Sequence, residues 1–335
     1  MGKNMKVDVA VIGAGTAGLV AVSEIAKVTQ NFVLIQDGPM GTTCALVGCM
    51  PSKALIQTAD DFHRRAFLAD KGISGAQGLR VDGAAVMRHV RTMRDHFAGG
   101  MVEKTTRYGE RLLQGHARFV DIAKLDVEGT RIEAKTIIIA NGSRPRMKPE
   151  WAALGERVLT SDELFEIEEL PKSLAVIGMG VIGTEMGQAL ARLGVEVVGV
   201  ARSGRIAGLS DARITKAAAE ALEQDLELWS GHAADIRAQG DRLVVTAGAN
   251  EKCVDAALVS TGRVPNIDNL GLETLGIAMD ESGIPVHDPD TLQVGNLPLF
   301  IAGDTSGREP ILHEAWDDGR VAGYNATRAN RAGFK

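Results

Sequence analysis

Cysteine is scarce in this chain, with three in 335 residues. Three are too few for the disulfide framework of a secreted domain and fit a reducing compartment, where a lasting disulfide is more often catalytic than structural. Aromatic residues make up 4% and the formal charge is −6, so the stacking rings and basic patches of a nucleic-acid surface are missing. No apolar run approaches the roughly 18 residues that cross a bilayer. The opening MGKNMK leads straight into VDVAVIGAG instead of a signal-peptide core, and Lys6 breaks the myristoylation pattern. A cytoplasmic protein with no nucleic-acid partner, no membrane partner and no metal is expected. The length suggests about two domains, each with its own core.

Glycine, by contrast, is plentiful at 39 residues, and its placement shows one pattern twice. Residues 7–37 read as strand (Val7–Ile12), glycine turn (Gly13, Gly15, Gly18), helix (Leu19–Lys27) and strand (Phe32–Ile35). Residues 174–202 read as strand (Leu174–Ile177), glycine turn (Gly178, Gly180, Gly183), helix (Thr184–Leu193) and strand (Val195–Val200). Each is a βαβ half of a dinucleotide fold, with a tight first turn, a second glycine that admits a pyrophosphate, and a third that packs helix on strand. One such motif is weak; two in matching contexts make chance improbable.

Between them, GTTCALVGCMPSK (residues 41–53) carries Cys44 and Cys49. The helix predicted after Cys49 would stabilise a thiolate at its N-terminus, and Pro51 suits a first helical turn. Four intervening residues permit a disulfide, so the pair is either a redox couple or two buried thiols in a small loop. Further on, residues 84–108 predict a helix with Val86, Val90, Met93 and Phe97 on one face, and Arg88, Arg91 and Arg94 on a solvated one. Residues 111–140 alternate like short antiparallel strands.

Together the glycine turns and the Cys-x4-Cys-Met-Pro-Ser-Lys run resemble the flavin-dependent pyridine nucleotide–disulfide oxidoreductases. The Pro-Ser-Lys is most similar to the dihydrolipoamide dehydrogenase and mercuric reductase branch. TIIIANGSRP (residues 136–145), with Asn141 where Thr is usual, and ALVSTGRVPN (residues 257–266) resemble that family's two interdomain junctions. LFIAGDTSG (residues 299–307) resembles its last flavin-domain strand.

The resemblance implies an α/β protein of two Rossmann-like domains, the NAD(P)-binding one (146–265) inserted into an FAD-binding one (1–145 and 266–335). It assigns FAD contacts to Gly13, Gly15, Gly18, Gln36, Asp37, Thr42, Thr43, Lys53, Ala117, Gly142, Gly303 and Asp304, the last on the ribityl hydroxyls. Gln36 departs from the usual acidic residue. Its amide still accepts a hydrogen bond, and Asp37 is adjacent. The nicotinamide nucleotide falls to Gly178, Gly180, Gly183, Gly262, Arg202 and Arg205. An NAD site wants a carboxylate near Ala201, and none is there. The two arginines either fork onto the 2′-phosphate of NADPH or are merely solvated, and NADPH is favoured over NADH.

By the same resemblance Cys49 lies nearer the flavin, Cys44 is the interchange thiol, and Lys53 pairs with Glu185 beside the flavin. The expected substrate is a small disulfide or dithiol, or a lipoyl-bearing protein. Mercuric reductase, a plain diaphorase and a non-catalytic nucleotide-binding scaffold are the alternatives. Cys253 is read as structural, and His313 is the histidine nearest the flavin by motif. The resembled family continues into a C-terminal interface domain that makes a homodimer and supplies a His–Glu base. Here the chain stops at ATRANRAGFK, so a shortened form with poor disulfide turnover is expected.

Overall fold

The computed structural model describes residues 4–328; Met1–Lys3 and residues 329–335 of the terminal run lie outside the described residues. Packing divides the chain into two compact units. Within the described residues one comprises 4–44, Ala98–Arg144 and 264–328, the other Ala45–Phe97 and Pro145–Arg263.

The first unit is built on β1 (Asn4–Ile12), β2 (Phe32–Gln36), β3 (Leu112–Gln114), β4 (Ala117–Asp121), β5 (Lys124–Val127), β6 (Thr130–Ile139) and β17 (Leu299–Ile301), numbered in chain order. Its sheet runs β3-β2-β1-β6-β5-β4, and β17 pairs with β6. The pairs β1–β2, β1–β6, β2–β3 and β6–β17 are parallel, while β4, β5 and β6 form an antiparallel arm.

Parallel strands buried on both faces must be apolar at successive positions, which is what VAVI (residues 9–12) and III (residues 137–139) supply. Alternation sorts them. Val9, Val11, Leu34 and Ile138 share a cluster with α1 (Thr16–Ile25) and α9 (Leu312–Ala326). Ala10, Ile12, Ile35 and Ile137 share another with Phe119, Leu125 and Leu270. The two helices approach at backbone distance. A Cβ on Gly319 would lie 2.3 Å from the carbonyl oxygen of Ala17, and one on Gly323 2.5 Å from that of Ala21.

The second unit repeats the theme with β8 (Val158–Leu159), β9 (Ser173–Ile177), β10 (Glu196–Ala201), β11 (Glu227–Ser230) and β15 (Ala256–Val259), in the order β11-β10-β9-β15-β8. Its strands are parallel. A meander of β12 (Ala234–Gln239), β13 (Arg242–Ala247) and β14 (Asn250–Val254) shares a cluster with Ala175, Ile177, Val198 and Val200. The alternate residues Leu174, Val176 and Val197 join α7 (Val181–Arg192) and α8 (Ala212–Leu222). Short elements fill the rest: α2 (Thr43–Leu46), α5 (Pro149–Ala152), α6 (Ser161–Leu164), and β7 (Ser143–Pro145) and β16 (Arg263–Pro265) near the crossings.

Residues 45–97, expected in the flavin domain, cluster in packing with the second unit. Leu55 and Ala59 of α3 (Cys49–His63) share one apolar cluster with Met186, Ala189 and Leu190 of α7, and Arg192 bridges Asp60 (2.6 Å) and Asp225 (3.0 Å). The long helix is α4 (Gly83–Thr106). Val90 and Met87 are fully buried, but Phe97 is exposed. Arg88 alone keeps to the solvated face: Arg91 donates to the carbonyl of Ile167 at 2.6 Å, and Arg94 pairs with Glu166 and Asp95. The segment after α6 packs on that side, a tertiary contact that helical periodicity does not reveal. Among the described residues, no helix is long and apolar enough to cross a membrane.

Candidate functional site

Both glycine turns meet the same steric demands. Gly13 has φ +104°, and a Cβ there would sit 2.3 Å from the carbonyl oxygen of Ala140. Gly178 has φ +98°, with Ser260 oxygen at 2.6 Å. The third glycines are tighter still: a Cβ on Gly18 would lie 1.8 Å from the Gly13 oxygen, and one on Gly183 2.0 Å from that of Gly178. The middle glycines face open space, with nothing within 4 Å of a Cβ at Gly15 or Gly180.

Gly15 and Gly180 are also the N-caps of α1 and α7, neither with a side-chain cap nor an acidic residue in the first turn. The helix amides and positive dipole ends are therefore left for an external anion, and the gap beside each middle glycine admits it. These residues fit a dinucleotide pyrophosphate in each unit.

The ends of the second strands differ. Gln36 closes β2 with its Oε1 accepting from the Ala14 amide at 2.8 Å, and its Nε2 donates to the carbonyls of Asp37 (2.9 Å) and Pro39 (3.0 Å). It is a brace for the glycine turn. Asp37 Oδ2 lies 2.8 Å from His116 Nδ1. At the end of β10, Arg202 and Arg205 are exposed, and among the described residues neither ion-pairs with a carboxylate.

Around the C-terminal edge of the first sheet, Asn141 and Asn266 exchange amide-to-carbonyl hydrogen bonds, the return bond being 3.0 Å. Gly142, with φ +71° and open space around it, donates from its amide to Thr305 Oγ1 at 2.7 Å. Ser143 Oγ donates to Asp304 Oδ2 at 2.6 Å, which fixes the carboxylate assigned to the ribityl chain. The Gly303 amide donates to Asp318 at 3.0 Å, and burial raises the Asp318 carboxyl above its ordinary range.

Ala117 is buried in the apolar cluster, so only its backbone can meet a ligand. Thr42 is buried and Thr43 exposed. In the second unit Gly262 has φ +112° and open space. Asp162, raised by burial, lies in the field of Arg263. Asn266, Ser143, Thr305, Asp318 and His116 are not singled out by the sequence, and Asn141 only as a departure from the family's Thr, since each acts through a partner distant in the chain.

Cys44 sits in the helical turn α2, and Cys49 is the first residue of α3, whose cap Gly48 offers no side chain. Lys53 and Glu185, 132 residues apart, meet at 2.7 and 2.8 Å between Nζ and the two carboxylate oxygens. Lys53 is 57% exposed and Glu185 34%. Cys253 is exposed on β14, and His313 is exposed on α9.

A family model described as pyridine nucleotide-disulphide oxidoreductase matches residues 7–319. The chain is 31% identical to a dihydrolipoyl dehydrogenase of Pseudomonas aeruginosa over 332 residues, covering 96% of this chain and 71% of that protein. It is 30% identical to a mercuric reductase of Staphylococcus aureus, covering 94% of this chain and 59% of that protein. Among solved structures, LpdA from Mycobacterium tuberculosis superposes with a TM-score of 0.83 at 25% identity, covering 96% of this chain and 72% of that one. The HOCl-induced flavoprotein disulfide reductase RclA from Escherichia coli shares the fold, with a TM-score of 0.82, 23% identity and coverage of 98% and 71%.

Proposed function

Since the chain belongs to the pyridine nucleotide-disulphide oxidoreductase family, we propose that it is an FAD-dependent NAD(P)H–disulfide reductase resembling dihydrolipoamide dehydrogenase. Its couple is Cys44 and Cys49. The supporting observation is one chain holding two glycine turns with no room for a Cβ at their first and third glycines, and a Cys-x4-Cys run that opens α3. FAD, when bound, would relay an electron pair between a nicotinamide and the cysteine pair.

The chain's own residues do the rest. In the reduced pair the Cys44 thiolate attacks one sulfur of the substrate disulfide, breaking that S–S bond and forming a mixed disulfide. Cys49 then attacks the Cys44 sulfur, expels the second thiol and closes the Cys44–Cys49 bond. The sum is NAD(P)H, a proton and a disulfide giving NAD(P)+ and two thiols. The α3 N-terminus lowers the cost of a Cys49 thiolate. Lys53, held by Glu185, supplies positive charge to a reduced flavin. Arg202 and Arg205 offer charge-assisted donors to a 2′-phosphate, so NADPH is the preferred donor. The mercuric reductases matched at 30% identity support a second reading, in which the same pair receives Hg(II).

Anaerobic absorbance titration with NADPH, then NADH, tests the proposal. A flavin spectrum that gains a long-wavelength thiolate–flavin band, lost in Cys49→Ser while FAD stays bound, is the expected result. Bleaching without the band would leave a diaphorase. Protein that cannot be reconstituted with FAD would overturn the reading. Turnover of Hg(II) but not of lipoamide would favour the second one.

A further inference from the structure

His116 stands where three separate stretches of the first unit meet. It follows Gly115, whose amide donates to the carbonyl of Gln36 at 3.0 Å. Its Nδ1 lies 2.8 Å from Asp37 Oδ2, beyond β2, and its Nε2 lies 2.9 Å from the backbone carbonyl of Asn269. A carbonyl oxygen can only accept, so Nε2 must carry a proton, and an ionised carboxylate can only accept, so Nδ1 must carry one too. The ring that satisfies both partners is the imidazolium.

The charged groups facing it are of one sign. Asp37 comes from the end of β2. Glu128, from the β5–β6 turn, also takes the His116 amide at 3.3 Å. From the 266–271 loop the Asn269 carbonyl is directed at the ring, and Asp268 is paired with Arg144. Arg118, on β4, is 3.9 Å from Glu273. The carbonyl of Asn269 first, and then Asp37, raise His116 above the ordinary imidazole range.

Asp37 is the only carboxylate at the end of β2, where the acidic residue usual for a ribose is replaced by Gln36. Gln36 is itself occupied by the Ala14 amide. Resting on the FAD reading above, we propose that His116 is a positioning residue for the flavin nucleotide. As an imidazolium it holds Asp37 and the 266–270 loop at the ribose end of the first glycine turn, so that FAD retention weakens as pH rises. The sign follows from linkage: while His116 is charged it favours the assembled arrangement that FAD would bind, and that preference is lost as pH climbs through the raised value.

The test is the FAD dissociation constant of the full chain, read from recovery of free-flavin fluorescence between about pH 6 and pH 9. Wild type should weaken by about tenfold over that range. His116→Gln keeps a donor for the Asn269 carbonyl but loses the charge, and it should be flat at the wild-type high-pH level. Asp37→Asn should be flat as well, and it serves if His116→Gln does not fold by circular dichroism. A nitrogen-15 titration of the wild-type imidazole gives an independent readout. FAD binding with the same slope in wild type and both variants, or an unshifted His116, would overturn the inference while leaving the flavin reading intact. Absence of FAD binding at every pH would overturn the flavin reading itself.

Discussion

The two glycine turns are near copies in backbone and opposites in what surrounds their second strand. In both, the first and third glycines are dictated by contacts a Cβ could not survive, and the middle one by open space. After β2 the chain is locked: Gln36 braces the turn, and Asp37 is tied to His116. After β10, Arg202 and Arg205 project into solvent. The difference teaches where a dinucleotide fold keeps its freedom. Sterics fix the phosphate end in any such unit, whereas the residues one strand later are free to choose the nucleotide. The locked end suits a cofactor that stays, and the open end suits one that comes and goes.

The sharpest way to break the likeness is to add one methyl group to each turn. Gly18→Ala and Gly183→Ala each force a Cβ onto a carbonyl oxygen, and each should cost about 3 kcal/mol or more. Thermal melts should fall in both. Only Gly18→Ala should lose the flavin spectrum, while Gly183→Ala should stay yellow but fail to be reduced by NADPH. Equal loss of flavin from both would erase the distinction.

Next in size is the nucleotide choice. Removing both Arg202 and Arg205 should raise KM for NADPH between about tenfold and a hundredfold, roughly 1.4 to 2.7 kcal/mol, and leave KM for NADH unchanged. Parallel rises for both nucleotides would mean the arginines are simply solvated.

Smaller effects test the braces. Asn141→Ala breaks the exchange with Asn266 and should cost about 1–2 kcal/mol in urea unfolding, with flavin affinity reduced in step. The smallest stability change belongs to Lys53→Met. Its ion pair with Glu185 is largely exposed, so stability should move by less than about 1 kcal/mol. The flavin reduction potential should nonetheless fall, because the change is in charge and not in packing. A potential equal to wild type would remove Lys53 from the flavin's surroundings.

The parts legible in the sequence were those whose cause is local. A glycine at +104° leaves its mark in the sequence because no other residue takes that turn at low cost, and VAVI and III mark strands covered on both faces. The Lys53–Glu185 pairing is implied by the family resemblance, although the two positions lie 132 apart in the chain. What stayed hidden depends on partners that no spacing encodes. The carbonyl of Asn269 looks like any other, yet it faces His116 Nε2 at 2.9 Å. Arg91 and Arg94 sit at positions that periodicity assigns to water, and only the fold of 161–167 over them shows otherwise. Residues 45–97 show the same dependence: sequence adjacency links them to the first unit, while the apolar face of α3 packs with α7.

The three-stretch build of the first unit bears on the order of events at the ribosome. β1 gains its neighbour β6 only after about 130 residues, β17 reaches β6 at Ile301, and α9 covers α1 only near the end of the described chain. The second unit has all its parts by Arg263. Vectorial synthesis therefore finishes the later-starting unit first, and the earlier-starting one waits with β6 lacking β17 and α1 lacking α9. Non-local pairing of this kind is slow and exposes apolar strand edges meanwhile, so the interval between residues 139 and 326 is when this chain most needs a chaperone.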